Sequence, residues 1–172
     1  MNCPPSKTGF HTRHRFKCLQ TNLRHSQLAS ASLAEVILEN SLNVILIQEP
    51  YALCSPTPTL AHIPPGYIAF HALSADRSYG VAILVKLSLA NSCRAVSCCA
   101  SYHIAAVDLP TAKGTVRFIS AYLHPTISNY LATLQSELSS LITPLTVLSV
   151  NANVKNRLWN SSTTDRKGEE FE

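Results

Sequence analysis

The sequence predicts an α/β chain built as a layered α/β sandwich, two mixed β-sheets packed face to face with helices outside. Apolar runs of strand character recur along the chain, but only two stretches carry a helical period, too few crossovers for an all-parallel sheet. Two of the runs flank a short turn-forming segment and read as a hairpin, which adds antiparallel pairing. The 172 residues are 46% hydrophobic and 14% charged, the make-up of one globular domain. A chain of this size buries about 70% of the surface its unfolded form exposes, enough for a core without disulfides or structural metal.

Met1 to Arg15 is polar, basic and aperiodic and is expected to be a disordered tail, with the domain running from 16 to 172. Phe16 to Asn22 alternates as a short strand. From Gln27 to Asn40 the apolar Ala29, Leu33, Val36 and Ile37 line one helical face. Val44 to Ile47 is a continuous apolar run suited to a strand buried on both faces, and it ends at Gln48-Glu49-Pro50. Pro56, Pro58, Pro64 and Pro65 make Tyr51 to Gly66 a surface loop.

Tyr79 to Lys86 is a further strand, and His103 to Leu109 with Val116 to Leu123 form the hairpin across Pro110 to Gly114. Cys93 to Cys99 is a weaker strand signal. Ser128 is placed to N-cap a helix carrying Leu131, Leu134, Leu138 and Leu141, which Pro144 ends. The last strand, Leu145 to Val150, delivers Asn151 and Asn153, and the chain is polar from there to Glu172. No fixed-period repeat is present.

The apolar runs are far shorter than the ~20 residues of a spanning helix, so membrane insertion is not expected. Met1 to Lys17 has basic residues but no apolar centre, which argues against a signal peptide; a nuclear or cytoplasmic, non-secreted location is expected. Against 10 Asp+Glu stand 14 Lys+Arg, a net charge of +4, a mild bias towards polyanions with the basic residues gathered near both ends. The 6 Cys include no C-x-x-C pair and read as reduced, mostly buried thiols.

Polar residues stand just past apolar strands again and again: Asn22, Glu49, Tyr122 with His124, and Asn151 with Asn153. Phosphodiester cleavage needs a carboxylate to hold a cation, neutral donors to fix a phosphate, and a base for water. Glu49 is the one carboxylate of this set.

The blocks Gln20-Thr21-Asn22-Leu23, Ile47-Gln48-Glu49-Pro50-Tyr51, Tyr79-Gly80-Val81-Ala82, Ser120 to Pro125, and Asn151-Ala152-Asn153 with Leu158 to Ser162 resemble, in order and spacing, those of the endonuclease/exonuclease/phosphatase (deoxyribonuclease-I-like) family. The likeness is greatest to the endonuclease domain of non-LTR retrotransposon polyproteins, in which Asp165-Arg166-Lys167-Gly168-Glu169 is a familiar continuation. The resemblance implies Mg2+ or Mn2+ as cofactor, Glu49 as direct metal ligand and Asn22 beside it. It implies Tyr122 on the scissile phosphate and Asn151 and Asn153 around phosphate or water. It further implies His124, Trp159 and Arg157 towards nucleic acid, DNA as partner, and a reverse transcriptase domain in cis in full-length relatives.

Two departures stand out. Where the family carries Asp-x-Asn this chain has Asn151-Ala152-Asn153, and the Ser-Asp-His block with its strands is absent, so C-terminal strands are expected to be missing and a sheet edge unpaired. The expected function is a metal-dependent DNA endonuclease domain that nicks target DNA for reverse transcription, impaired or inactive in this chain. The alternative is a non-catalytic fragment that binds DNA through its basic ends; a phosphatase of small phosphoesters ranks third.

Overall fold

Every residue from Val44 to Gln48 is buried, and the alternation within this strand sets the layering. In the computed structural model, which describes residues 16–54, 56–75, 80–96, 103–123 and 130–170, Val44 and Leu46 belong to one core cluster while Ile45 and Ile47 belong to another. A strand with apolar side chains on both faces must be covered on both faces.

The elements run β1 (Cys18–Asn22), α1 (Gln27–Glu39), β2 (Val44–Gln48), β3 (Ala52–Cys54), β4 (Pro58–Leu60), β5 (Tyr67–Leu73), β6 (Gly80–Lys86) and α2 (Leu87–Ala90). They continue with β7 (Arg94–Val96), β8 (Ile104–Thr111), β9 (Gly114–Tyr122), α3 (Tyr130–Ser139), β10 (Thr146–Asn151), a 3₁₀ turn (Arg157–Trp159) and α4 (Arg166–Glu170). One sheet has the order β1-β2-β6-β5 and the other β10-β9-β8-β7, while β3 and β4 form a small ribbon. β1 with β2 and β9 with β10 are parallel pairs, each spanning a helix in the chain, and the remaining pairs are antiparallel. Both sheets are therefore mixed, as expected.

Val44, Leu46, Val81, Ile83 and Val85 of the first sheet meet Ala105, Val107, Leu109 and Phe118 of the second in the inner core. Leu33 and Ile37 of α1 cover the outer face of the first sheet against Ile45, Ile47, Ala82 and Leu84. Ser26 caps α1, its side chain accepting from the Ala29 N–H at 3.2 Å. Leu138 and Leu141 cover the outer face of the second sheet against Ile104, Ala106, Ile119 and Ala121. The result is four layers, helix, sheet, sheet and helix.

Several details depart from expectation. The Pro-rich stretch holds the β3–β4 ribbon and runs into β5, a full strand of the first sheet paired with β6. Proline is tolerated because Pro58 starts a short ribbon strand, where a missing N–H costs little. The hairpin turn is tighter than Pro110 to Gly114: β8 extends to Thr111 and Gly114 begins β9, so Ala112 and Lys113 alone make the turn, and Gly114 just after them has a φ of +121°. The weak strand is β7, and residues 97–102 lie outside the described residues, as do the basic tail, His124 and Ser128. Cys18 and Cys93 are free thiols, and Cys18 is exposed rather than buried.

The polar C-terminal stretch holds a 3₁₀ turn and α4, which its sequence pattern did not predict. The Asn156 carboxamide, buried, donates to Gly168 O at 2.9 Å and accepts from Leu158 N at 2.9 Å, and Asp165 Oδ1 accepts from Gly168 N at 2.7 Å. A Cβ on Gly168 would stand 2.0 Å from Lys155 O, so this approach requires glycine. Among the described residues β1 and β10 are edge strands, and Val147 and Leu148 on β10 are exposed.

Candidate active site

The two parallel pairs bring their C-terminal ends to one rim. Asn22 pairs in register with Gln48, and Tyr122 with Asn151. Gln48, fully buried, fastens the sheets together just beneath: its Nε2 donates to Ser120 Oγ at 3.0 Å and Ser149 Oγ at 2.8 Å, and its Oε1 accepts from Gln20 Nε2 at 3.2 Å. Ser120 Oγ in turn donates to Ile47 O at 3.0 Å. The Gln48 carboxamide and the Ser120 and Ser149 hydroxyls are thereby paired with one another, which removes a desolvation cost of about 1–3 kcal/mol per group.

Immediately past Gln48 the chain turns at Glu49, whose φ of +48° lies in the left-handed region. For a residue with a Cβ this costs on the order of 1–3 kcal/mol, and surrounding bonds hold it there. The Glu49 N–H donates to Gly80 O at 3.0 Å and its carbonyl accepts from His25 N at 2.8 Å. Tyr122 Oη then reaches across from the other sheet and donates to Glu49 Oε1 at 2.7 Å. The carboxylate is thus aimed from both sheets at once, with its side chain 17% exposed. Tyr122 itself is buried, so what it offers a ligand is its hydroxyl at the rim.

The neutral donors are held by short-range bonds. Asn22 Oδ1 accepts from Arg24 N at 2.8 Å, which leaves a second lone pair on that oxygen. Asn151 Oδ1 accepts from Asn153 N at 3.2 Å, and Asn153, with φ of +49°, donates from Nδ2 to Leu123 O at 2.8 Å. Leu123 N donates to Asn151 O at 2.9 Å, extending the β9–β10 pairing into the loop. An Asp at 151 would accept the same Asn153 bond, so the carboxamide alters charge without disturbing the turn.

Of the sequence-predicted residues, Glu49 and Tyr122 are in direct contact, Asn22 stands beside Glu49 at the β1–β2 end, and Asn151 and Asn153 stand beside Tyr122 at the β9–β10 end. Arg157 is exposed in the 3₁₀ turn with its N–H on Thr164 Oγ1 at 3.2 Å, and Trp159 closes the same turn. His124 lies outside the described residues. Sequence reasoning missed His25, which the tight turn after β1 brings to 3.8 Å from Glu49 Oε1. Extending the strand-end pattern from Asn22 to the Ser26 cap would have found it.

For a divalent cation the donor set fits a lightly held ion: one carboxylate aimed into the rim, with amide oxygens nearby, suits Mg2+ that keeps most of its waters. Among the described residues no group of three or more His, Cys, Asp and Glu is placed to hold a metal ion, so the site is no closed protein cage.

Two mixed four-stranded sheets packed on each other, with a helix outside each, have the fold of the endonuclease/exonuclease/phosphatase proteins. The endonuclease domain of TRAS1, a telomere-specific non-LTR retrotransposon, superposes with a TM-score of 0.73 at 23% identity, covering 91% of this chain and 67% of that one. An endonuclease/exonuclease/phosphatase family protein from Leptotrichia buccalis C-1013-b gives 0.59 at 14% identity, covering 86% and 69%. The AP endonuclease LMAP from Leishmania major gives 0.58 at 14%, covering 90% and 60%. No protein-family model matches the chain, and no curated protein matches it.

Proposed function

We propose that the chain is a DNA endonuclease domain of the non-LTR retrotransposon type, holding Mg2+ or Mn2+ at Glu49 and impaired in hydrolysis by the carboxamide at Asn151. The observation that carries this reading is the Glu49–Tyr122 contact, a carboxylate on a left-handed backbone fixed from two sheets at the rim where Asn22, Asn151 and Asn153 also end. The likeness to a retrotransposon endonuclease domain supports the choice of branch.

In this reading Glu49 holds the ion, with Asn22 beside it. Such an ion, when bound, supplies Lewis-acid polarisation of a phosphoryl oxygen. The Tyr122 hydroxyl, whose single hydrogen now lies on Glu49 Oε1, would contact the scissile phosphate by turning that hydrogen away from the carboxylate, and the Asn153 and Asn151 carboxamides would donate hydrogen bonds to phosphate oxygens or water. Arg157, exposed, and Trp159 in the same turn engage the DNA strand beyond the reacting bond, with His124 near the phosphate. An amide at 151 accepts no proton from water, and a missing positioned base costs about 10²–10⁴ in rate. A reverse transcriptase domain in cis and a nuclear or cytoplasmic location follow from the same reading.

The second reading, a non-catalytic domain that only binds DNA through its basic ends, is favoured by Asn151, a carboxamide that takes no proton from water. A supercoiled-plasmid nicking assay with Mg2+ and then Mn2+ separates the two. Weak nicking that Asn151→Asp raises at least tenfold and Glu49→Ala abolishes is the expected result. If all three chains are folded by circular dichroism and none nicks, the second reading replaces the first. Nicking undiminished by Glu49→Ala refutes the site.

A further inference from the structure

His25 has no part in the reading above, yet its placement is unusually determined. Arg24 and His25 are consecutive left-handed residues, with φ of +48° and +55°, and neither is glycine. The His25 N–H is bonded to Glu49 O at 2.8 Å, so the two residues are locked together through the backbone. On the side chain, Nδ1 lies 3.3 Å from Pro50 O. A carbonyl oxygen only accepts, so this bond requires the hydrogen on Nδ1. In the neutral ring, Nε2 then carries the lone pair, and Nε2 is the atom 3.8 Å from Glu49 Oε1.

That separation is too long for a hydrogen bond, and an unprotonated Nε2 this close to a carboxylate oxygen is stabilised only by a positive charge between them, a proton on the ring or a cation. Two donors each about 2.1 Å from one cation stand at most about 4.2 Å apart, so a single ion fits between them. The rest of the imidazole is arranged as ligating histidines are: the far ring nitrogen donates to a backbone carbonyl, which fixes the tautomer and the ring plane. Among the described residues the contacts of the Glu49 carboxylate, to Tyr122 and His25, both fall on Oε1.

We propose that His25 Nε2 and the Glu49 carboxylate together ligate one divalent first-row transition-metal ion, so that His25 raises the affinity of this rim for ions such as Co2+ without raising it for Mg2+. Imidazole nitrogen suits the later first-row ions, whereas Mg2+ favours oxygen ligands and water. The proposal rests on Glu49 as the cation-holding residue and adds to it the ligand that sets the choice of ion.

Isothermal titration of the full chain with CoCl2, and separately with MgCl2, tests it on the wild type, His25→Ala and Glu49→Ala, each first checked for folding by circular dichroism. Differences from the wild type isolate this site from the other histidines. His25→Ala is expected to weaken Co2+ binding at least about tenfold and Mg2+ binding less than threefold, since loss even of a residue supporting a ligand costs 10- to 100-fold. Unchanged Co2+ affinity in His25→Ala overturns the proposal. Equal losses for both ions also overturn it, because they mean that the loop rather than the imidazole supports the site. If Glu49→Ala leaves both ions bound as before, the reading of Glu49 fails as well, an outcome distinct from failure of His25 alone.

Discussion

Removing the Gln48 carboxamide while keeping its bulk, as in Gln48→Leu, tests whether the rim is assembled by the bond between sheets. The change deletes the donors to Ser120 Oγ and Ser149 Oγ and the acceptor for Gln20 Nε2, in a position with no solvent exposure. Each of the three lost bonds removes about 1 kcal/mol net, and stripping a donor from buried hydroxyls adds a desolvation cost of at least about 1 kcal/mol, for a total of about 4 kcal/mol. In a chain of this size that lowers Tm by about 5–15 °C. Urea and thermal unfolding followed by circular dichroism read the loss. The double variant Gln48→Leu/Ser149→Ala supplies the check: replacing both partners with apolar groups restores part of the deficit, at least about 1 kcal/mol. A Gln48→Leu chain within about 0.5 kcal/mol of the wild type, or a double variant no more stable than the single, refutes the argument.

Arg117→Ala strands the Asp108 carboxylate, which now receives Arg117 Nε at 2.7 Å and Nη2 at 2.9 Å, with Arg94 at 3.9 Å, and should cost on the order of 3 kcal/mol at pH 7. The Arg117 hydrogen bonds, against the opposing effect of burial, hold the Asp108 carboxyl below the usual carboxylate range. The pair therefore stabilises fully above about pH 4 and loses its contribution as pH falls through the depressed value, so acid unfolding should be steeper in the wild type than in Arg117→Ala; parallel curves count against it. Gly168→Ala should loosen residues 155–170, at a cost of about 1–3 kcal/mol, and speed tryptic cleavage at Lys155 and Arg157 while the sheets keep their protection; an unchanged digest contradicts the close approach to Lys155 O. Leu148→Lys on the exposed β10 edge should leave stability within about 0.5 kcal/mol of the wild type by thermal unfolding, and a loss above about 1 kcal/mol means that the edge is covered.

Most of the layering was legible because it follows from period. Val44 to Ile47 announces a strand covered on two sides, and Leu33 with Ile37 announces the helix that covers one of them. β5 escaped notice because Ala69, His71 and Ala72 dilute its apolar signal and because it follows directly on a proline-rich stretch, although Ile68 and Phe70 pack on the inner core. The C-terminal turn was illegible for a different reason: its order comes from polar bonds of Asn156, Asp165 and Gly168, which leave no hydrophobic period. At the site, the strand-end pattern placed Glu49 and Tyr122, whose contact follows from two sheets meeting at one rim. The positive φ angles of Arg24, His25 and Glu49 cannot be read from residues that ordinarily avoid that region, so the turn that brings His25 to the carboxylate required the structure.

The central claim is that four strand ends build one cation site around Glu49. A Mg2+ titration of the isotopically labelled chain, followed by amide resonances, addresses it most directly. The account predicts that residues 22–25, Glu49, Tyr122 and residues 151–153 shift together along a single binding curve, and that Glu49→Ala removes the response. Shifts confined to other parts of the chain, or an unaltered response in Glu49→Ala, would contradict it.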